Sequence, residues 1–477
     1  MDDGSVGRAG NGWAHDDPGA VVQAAVDAIG HDDPAMERWA QLAADMLTAG
    51  EGYGVITQHR LQEFLWFSLP RKLSPEDQAP MLAGMERLLD QLGLDRFADI
   101  VRSDNTREII SAWEEDGHTG FERARAGMDA SGLVPPETEL LSWGGVMGME
   151  ELMAYEAVAR ALETALVAGE LRPGTAGWRA RSATVTRRTL EEPTVPLASF
   201  GPAPARRLDL VLGSRVEDWV RSGRPDLLRQ RRDAVAGQFR RGSVAVAPAP
   251  PSSEVIESAT APLRWLLEAC RDGVRATTRG YLPRTLVVEA AGRFDWWIFD
   301  GQPRSEADVT ELRRMHEVAT RNRWLLSRSG RIKSTRPALA LLEDPPALWR
   351  AVTASVGRSD AFSSAISELI ALRLLEGPAT YISLERTDEL TQALAPVLLA
   401  QGWRQGSSDI DAHDVGRALH VPLGEWRIFG FLEEEWPARG ISAETRRYTL
   451  SLTETGRTAA LAHLYARATE PRHDIYG

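Results

Sequence analysis

Apolar residues recur at intervals of three and four through the first third of the chain. Met36 to Leu47 (MERWAQLAADML) has this spacing, as does Gln62 to Leu69 with Phe64, Leu65, Trp66 and Phe67; Pro70 is expected to stop the second run. Pro75 to Leu92 opens on a first-turn proline and closes at Gly93, and Asp104 to Trp113 and Glu150 to Val167 continue the pattern, with Gly169 closing the last. Such spacing leaves an apolar stripe to bury and a polar face to solvate, which predicts an all-helical domain over 20–192. The preceding 1–19, rich in Gly, Asp and Asn with little periodicity, reads as a disordered tail.

The texture changes after residue 192. PLASFGPAPA and AVAPAPPSS read as linkers, and between them Arg215 to Arg241 packs eight arginines around a helix centred on Leu227 to Phe239, so 193–253 reads as a basic connector. Pro262 to Cys270 (PLRWLLEAC) and Leu282 to Ala291, entered through Pro283, are short amphipathic helices. FDWWIF, 294–299, alternates like a buried strand ahead of a Gly-Gln-Pro turn. Ser305 and Asp308 form an S-x-x-D box opening a helix to about Asn322, with Met315, Val318 and Ala319 as its core side. WLLSRSGRIKSTRP is two strands turned at Ser329-Gly330, and ALALLEDPPALWRAV returns to helix.

The C-terminal stretch repeats the idea. Ala412 to Leu419 reads as a short helix, Trp426 to Trp436 as a longer apolar one, and Tyr448, Leu450 and Leu452 as a strand leading into a terminal helix. IKSTRPALALL aligned with LSLTETGRTAAL sets Thr335 and Thr453 three residues before Ala338 and Gly456, the N-cap arrangement, and hints at duplication. The expected fold is mainly α: an acidic N-terminal helical domain, a basic connector, and tandem winged-helix domains with small β wings at 254–358 and 359–477.

Charge sharpens this division. The 477 residues carry a net −13, distributed as about −19 over 1–170, +12 over 171–358 and −6 over 359–477. Lys72 and Lys333 are the only lysines, so the basic middle is built from arginine, whose planar fork suits phosphate and guanine. Fifteen tryptophans in helix-like contexts read as core or interface anchors. The single Cys270 excludes an internal disulfide framework and a Cys-rich zinc site. MDDGSVGRAG is acidic where a signal peptide is basic then apolar, and no run of about 18 apolar residues is present, so the expected setting is cytoplasmic, with no membrane partner.

The stretches SGLVPPETELLSWGGVMGMEE, LRWLLEACRDGVRATTRGYLPRTLV and SEADVTELRRMHEVATRNRWLLSRSGRIKSTRPALALLEDPPALWRAV resemble segments of uncharacterised bacterial proteins from GC-rich genomes, over about 130–477. That group implies an architecture and no established activity. The third stretch also resembles the helix, wing and following helix of winged-helix regulators. It departs at STRPAL, where Pro337 and Ala338 replace residues of the commoner T-x-x-G-R pattern, which puts the wing end in question.

These readings nominate DNA-binding residues. Arg313, Arg314 and Arg321 lie on the expected recognition helix, 314 and 321 sharing a face at a spacing of seven; Arg323 lies just beyond, and Arg328, Arg331 and Lys333 lie on the wing. The expected partner is double-stranded DNA, for a transcriptional regulator or mobile-element-associated factor. The alternative is a scaffold whose winged helices bind protein or self-associate, the acidic segment masking the basic one; an enzyme with its site in the helical domain is the remote alternative. The second winged helix, with Glu433, Glu434 and Glu435, would repel phosphate and suits assembly. No P-loop, dinucleotide fingerprint or G-x-S-x-G elbow is present. His413 and His420 would share a helical face one turn too far apart for a zinc helix, and His15 and His31, each followed by two Asp, sit in solvated acidic contexts. No catalytic residue, metal or cofactor is expected.

Overall fold

The computed structural model describes residues 18–194, 204–381, 388–435 and 448–473, so most of the expected tail at 1–19, His15, Trp436 and most of PLASFGPAPA lie outside the described residues. The chain is mainly helical and divides into two compact units, Met1–Val195 with Arg206–Leu208, and Pro196–Ala205 with Asp209–Gly477.

The first unit is built from helices, α1 (Pro18–Asp32), α2 (Pro34–Thr48), α3 (Gln58–Glu63), α4 (Leu69–Lys72), α5 (Pro75–Gln91), α6 (Asp95–Arg102), α7 (Asp104–Glu115), α8 (Gly117–Ser131), α9 (Met149–Val167) and α10 (Trp178–Glu191), with a two-residue strand, Pro193–Thr194, at its end. The spacing-predicted stripes meet in one core, with Leu61, Leu65, Met81, Met85, Leu88 and Leu89 inaccessible. Pro70 does not stop its helix. A π-helical turn, Phe64–Ser68, joins α3 to α4; Pro70 lacks the N–H that would bond the Trp66 carbonyl one turn back, and the Trp113 indole donates to that carbonyl at 2.9 Å instead. Helix α9 docks on α3 through a bidentate Arg60–Glu156 pair and through Glu163, which accepts from the Gln58 amide at 3.0 Å and pairs with Arg96.

In the second unit the basic segment is part of the core. Helices α11 (Arg207–Arg221) and α12 (Asp226–Ala236) bury Val216, Trp219, Leu228 and Val235, so the connector expected at 193–253 folds onto the helices C-terminal to it. Its arginines are used in this: Arg232 donates to buried Glu368 at 2.7 Å, and the same carboxylate accepts from the Trp219 indole at 3.1 Å.

The rest of this unit is two modules whose three-stranded sheets have the same strand order, the second carrying an additional helix and a short hairpin at Arg404–Gln405 and Ser408–Asp409. The first runs α13 (Ser253–Ala269), β1 (Val274–Arg275), α14 (Arg284–Arg293), α15 (Thr310–Arg321), β2 (Leu325–Arg328) and β3 (Arg331–Ser334), then α16 (Arg336–Leu341) and α17 (Pro345–Ser355). The second runs α18 (Ala361–Glu376), β4 (Ala379–Tyr381), α19 (Glu389–Ala400), α20 (Ala412–Ala418), α21 (His420–Ile428), β5 (Leu432–Glu435), β6 (Tyr448–Leu452) and α22 (Glu454–Ala468). Each sheet is antiparallel with its last strand in the middle, β1-β3-β2 and β4-β6-β5. Leu325 lies opposite Ser334 as Leu432 lies opposite Leu452. The Thr335 and Thr453 caps are both made, accepting from the Ala338 and Gly456 amides, and both hydroxyls donate back to a helix-ending carbonyl, of Arg323 and of Gly430.

Several expectations are corrected. FDWWIF forms no strand; Phe294, Trp296 and Trp297 are half-buried in a loop whose tip leaves Ile298 88% and Phe299 67% exposed. Trp426 to Trp436 is not one helix, because Gly430 at φ +67° ends α21 and Leu432–Glu435 is strand. The Ser305–Asp308 capping box is present but opens a 3₁₀ turn at 306–308, with α15 starting at Thr310. Helix α13 begins nine residues before Pro262, capped by Ser252. His413 and His420 fall on separate helices, α20 and α21.

Candidate nucleic-acid interface

The helix expected to read DNA has a partner inside its own unit. Helix α15 packs on α21, its counterpart in the second module. Arg321 forms a bidentate pair with Glu425, 2.9 Å on both arms, and Glu425, almost wholly buried, also accepts from the Gly357 amide at 2.6 Å. Arg314 donates from Nη2 to His420 Nε2 at 2.6 Å and lies on the backbone of Gly424, where any Cβ would stand 1.7 Å from its Nη1. Burial depresses the His420 imidazole, the cations of Arg314, Arg427 and Arg313 adding to the effect. Arg314 is likewise held below its ordinary value, first by burial, then by Arg427. Arg313 turns to Glu317 one turn along α15, at 3.4 Å. The face shared by Arg314 and Arg321 therefore closes the seam between the two modules.

The other nominated cations lie on the sheet and at the helix end. Arg323 adopts φ +56° just past α15 and is exposed. On β3, Ile332 and Ser334 point inward, and Arg331 and Lys333 point out. Arg328 lies directly opposite Arg331, and Arg275 of β1 lies opposite Arg331 from the other side. Three arginines thus form one row across the three strands, with Lys333 on the same outer face. Neighbouring strands are about 4.8 Å apart, so the row spans roughly 10 Å.

Like charges directly opposite one another destabilise a sheet. Arg331 donates to the Gly273 backbone carbonyl and, at 3.4 Å, to that of Asp272. Arg275, Arg328 and Lys333 are exposed and form no ion pair with another described residue. Periodicity missed Arg275 because a two-residue strand leaves no alternation to read; its signal is positional, since it comes just after the Gly273 turn that ends the preceding helix.

A second set of polar groups is structural. Glu306, 1% exposed, accepts from the Leu282 amide at 2.6 Å and meets His316 Nδ1 at 2.8 Å, fixing the start of α15. Burial, with Glu306 nearby, pushes the Cys270 thiol up to about 12, which makes it an inert core residue. Among the described residues no three His, Cys, Asp or Glu side chains are grouped to hold a metal ion, and no helix is long and apolar enough to cross a membrane. No protein-family model, curated protein or solved structure matches the chain.

Proposed function

We propose that the chain binds duplex DNA through the outer face of the β1–β3 sheet, acting as the wing of the first of two winged-helix modules. The observation that carries this reading is the row Arg275–Arg331–Arg328, a set of like charges set side by side with no ion pair to a described carboxylate, which an anion would relieve. One DNA strand carries a phosphate for each roughly 3.4 Å of helix axis, so a row of roughly 10 Å faces about three of them. The helix–strand–helix–helix–strand–strand order of the first module, and the central last strand that both sheets share, support the winged-helix assignment. Contact through a sheet rather than a base-reading helix makes this a positioning, phosphate-dominated interaction with modest sequence preference. Regulation of transcription is the process we infer for it.

The test is fluorescence anisotropy of a labelled random duplex with the full chain. Replacing Arg275, Arg328, Arg331 and Lys333 by Ala should abolish binding, while Arg314→Ala should leave it in place; the reverse pattern would return the interface to α15. A second reading, docking of a protein partner, has its own observation in the exposed Ile298 and Phe299. Under that reading, replacing both by Ser would remove partner capture without changing the anisotropy.

A further inference from the structure

The first unit contains a cleft of about 740 Å³ between α3–α4, α8 and α9. One wall is the stripe His59, Glu63, Phe67 and Arg71. In a regular helix, twelve residues rotate a side chain roughly 120° off the starting face, and absorbing one residue in a π turn reduces this to about 20°. The π turn at Phe64–Ser68 thus brings all four onto one wall. The opposing walls supply Phe121, edge-on to Phe67 at 5.7 Å, and Tyr155, which packs edge-on to both His59 and Trp143. The third side is the connection 132–148, a run of seventeen residues without helix or strand, tied down where the Gly144 amide donates to Glu151 and the Trp143 indole to the Pro136 carbonyl. Structureless connections of this length in a compact unit usually serve a site.

The polar groups of the cleft fall into three sets. Glu156 is neutralised by the bidentate Arg60. Arg71 and Arg125 are exposed at the lip, where water screens them. At the remaining end Glu63 and Asp129 raise the Tyr155 phenol after burial has done so, and neither forms an ion pair with an arginine of the described residues. Beside them His59 is 7% exposed, makes no hydrogen bond with a described residue, and has its Nδ1 4.0 Å from Glu63 Oε2. Burial keeps that imidazole neutral, lowering it to about 4. The neutral imidazole supplies one lone-pair nitrogen and the carboxylate beside it supplies acceptor oxygens, a set that suits a ligand bearing N–H donors.

We propose that this cleft binds an organic cation, an alkylammonium with an aromatic or apolar body, its head between Glu63 and His59 and its body along Phe67, Phe121 and Tyr155. The aromatic faces favour a cation as well as an apolar chain. The test is isothermal titration of the full chain with 4-phenylbutylamine, the neutral 4-phenylbutanol and the anionic 4-phenylbutyrate. The amine is expected to bind at least tenfold more tightly than either, Glu63→Gln to remove that preference, and Phe121→Ala to weaken both amine and alcohol, with unchanged thermal unfolding as the check that the variants fold. If Glu63→Gln lowers the melting temperature, Asp129→Asn serves the same comparison. Equal affinity for the three probes, no binding at millimolar concentration, or an amine preference that survives both carboxylate substitutions would overturn the assignment; tighter binding of the butyrate would move the ligand to Arg71 and Arg125.

Discussion

The two three-stranded sheets of the second unit share strand order, register and threonine-capped exits, yet their outer rows carry opposite chemistry. Where the first sheet aligns Arg331 and Arg328, the second aligns Thr449 and Glu435; where the first sets Lys333 beside Leu326, the second sets Ser451 beside Glu433. The inward positions agree: Ile332 and Leu450, the central inward residues, are both buried. One backbone thus serves two surfaces. What a module contacts is set by the solvent side of a few strand positions, which packing leaves unconstrained.

The comparison breaks most severely at the seam. Removing Glu425 strands a half-buried Arg321 guanidinium and the Gly357 amide, so Glu425→Ala should cost about 3–5 kcal/mol of unfolding free energy, measured by urea titration. A cost below about 1 kcal/mol would show that the modules do not depend on this pair. The next effect is exchange of the outer row. Thr449→Arg with Glu435→Arg should confer salt-sensitive DNA binding on a chain already carrying Arg275→Thr, Arg331→Thr and Arg328→Glu; a chain that remains silent would show that the second sheet differs in more than charge.

Acid should act on the second module through His463. This buried residue donates from Nδ1 to the Thr353 carbonyl and packs on Trp426, and burial lowers it to about 4. Because its folded value lies below the unfolded one near 6.5, its contribution is intact above that pH and is lost as pH falls toward 4, at up to about 1.4 kcal/mol per pH unit. Urea titrations at pH 7 and 5 should show a loss that His463→Gln reduces. The smallest effect is expected from Gly424→Ala, which meets only the flexible end of Arg314 and should leave DNA affinity unchanged in the same anisotropy measurement.

Much of the scaffold is legible in the residues themselves. Apolar spacing locates α2, α5, α7 and α9 within a few positions, and Thr335 and Thr453 mark both strand-to-helix junctions. The T-x-x-G-R order absent from the first junction stands at the second as Thr453 to Arg457, where a Cβ at Gly456 would fall 1.9 Å from the Phe431 carbonyl oxygen. Three things escape a one-dimensional reading. The apolar run through Trp426 and Phe431 looks continuous because burial is the same in helix and strand, and only Gly430 marks the change. The register partner Arg275 depends on strand pairing. The seam is a tertiary choice: Arg314 and Arg321 share a face as their spacing predicts, but nothing in that spacing says that α21 occupies it.

The most direct test of sheet-mediated DNA binding is its salt slope, measured by anisotropy between about 50 and 200 mM. Four outward cations, Arg275, Arg328, Arg331 and Lys333, predict a log-log slope of about −3.6, falling in magnitude by about 0.9 for Arg331→Ala alone and not at all for Arg314→Ala. A slope unchanged by Arg331→Ala, or one reduced by Arg314→Ala, would contradict it.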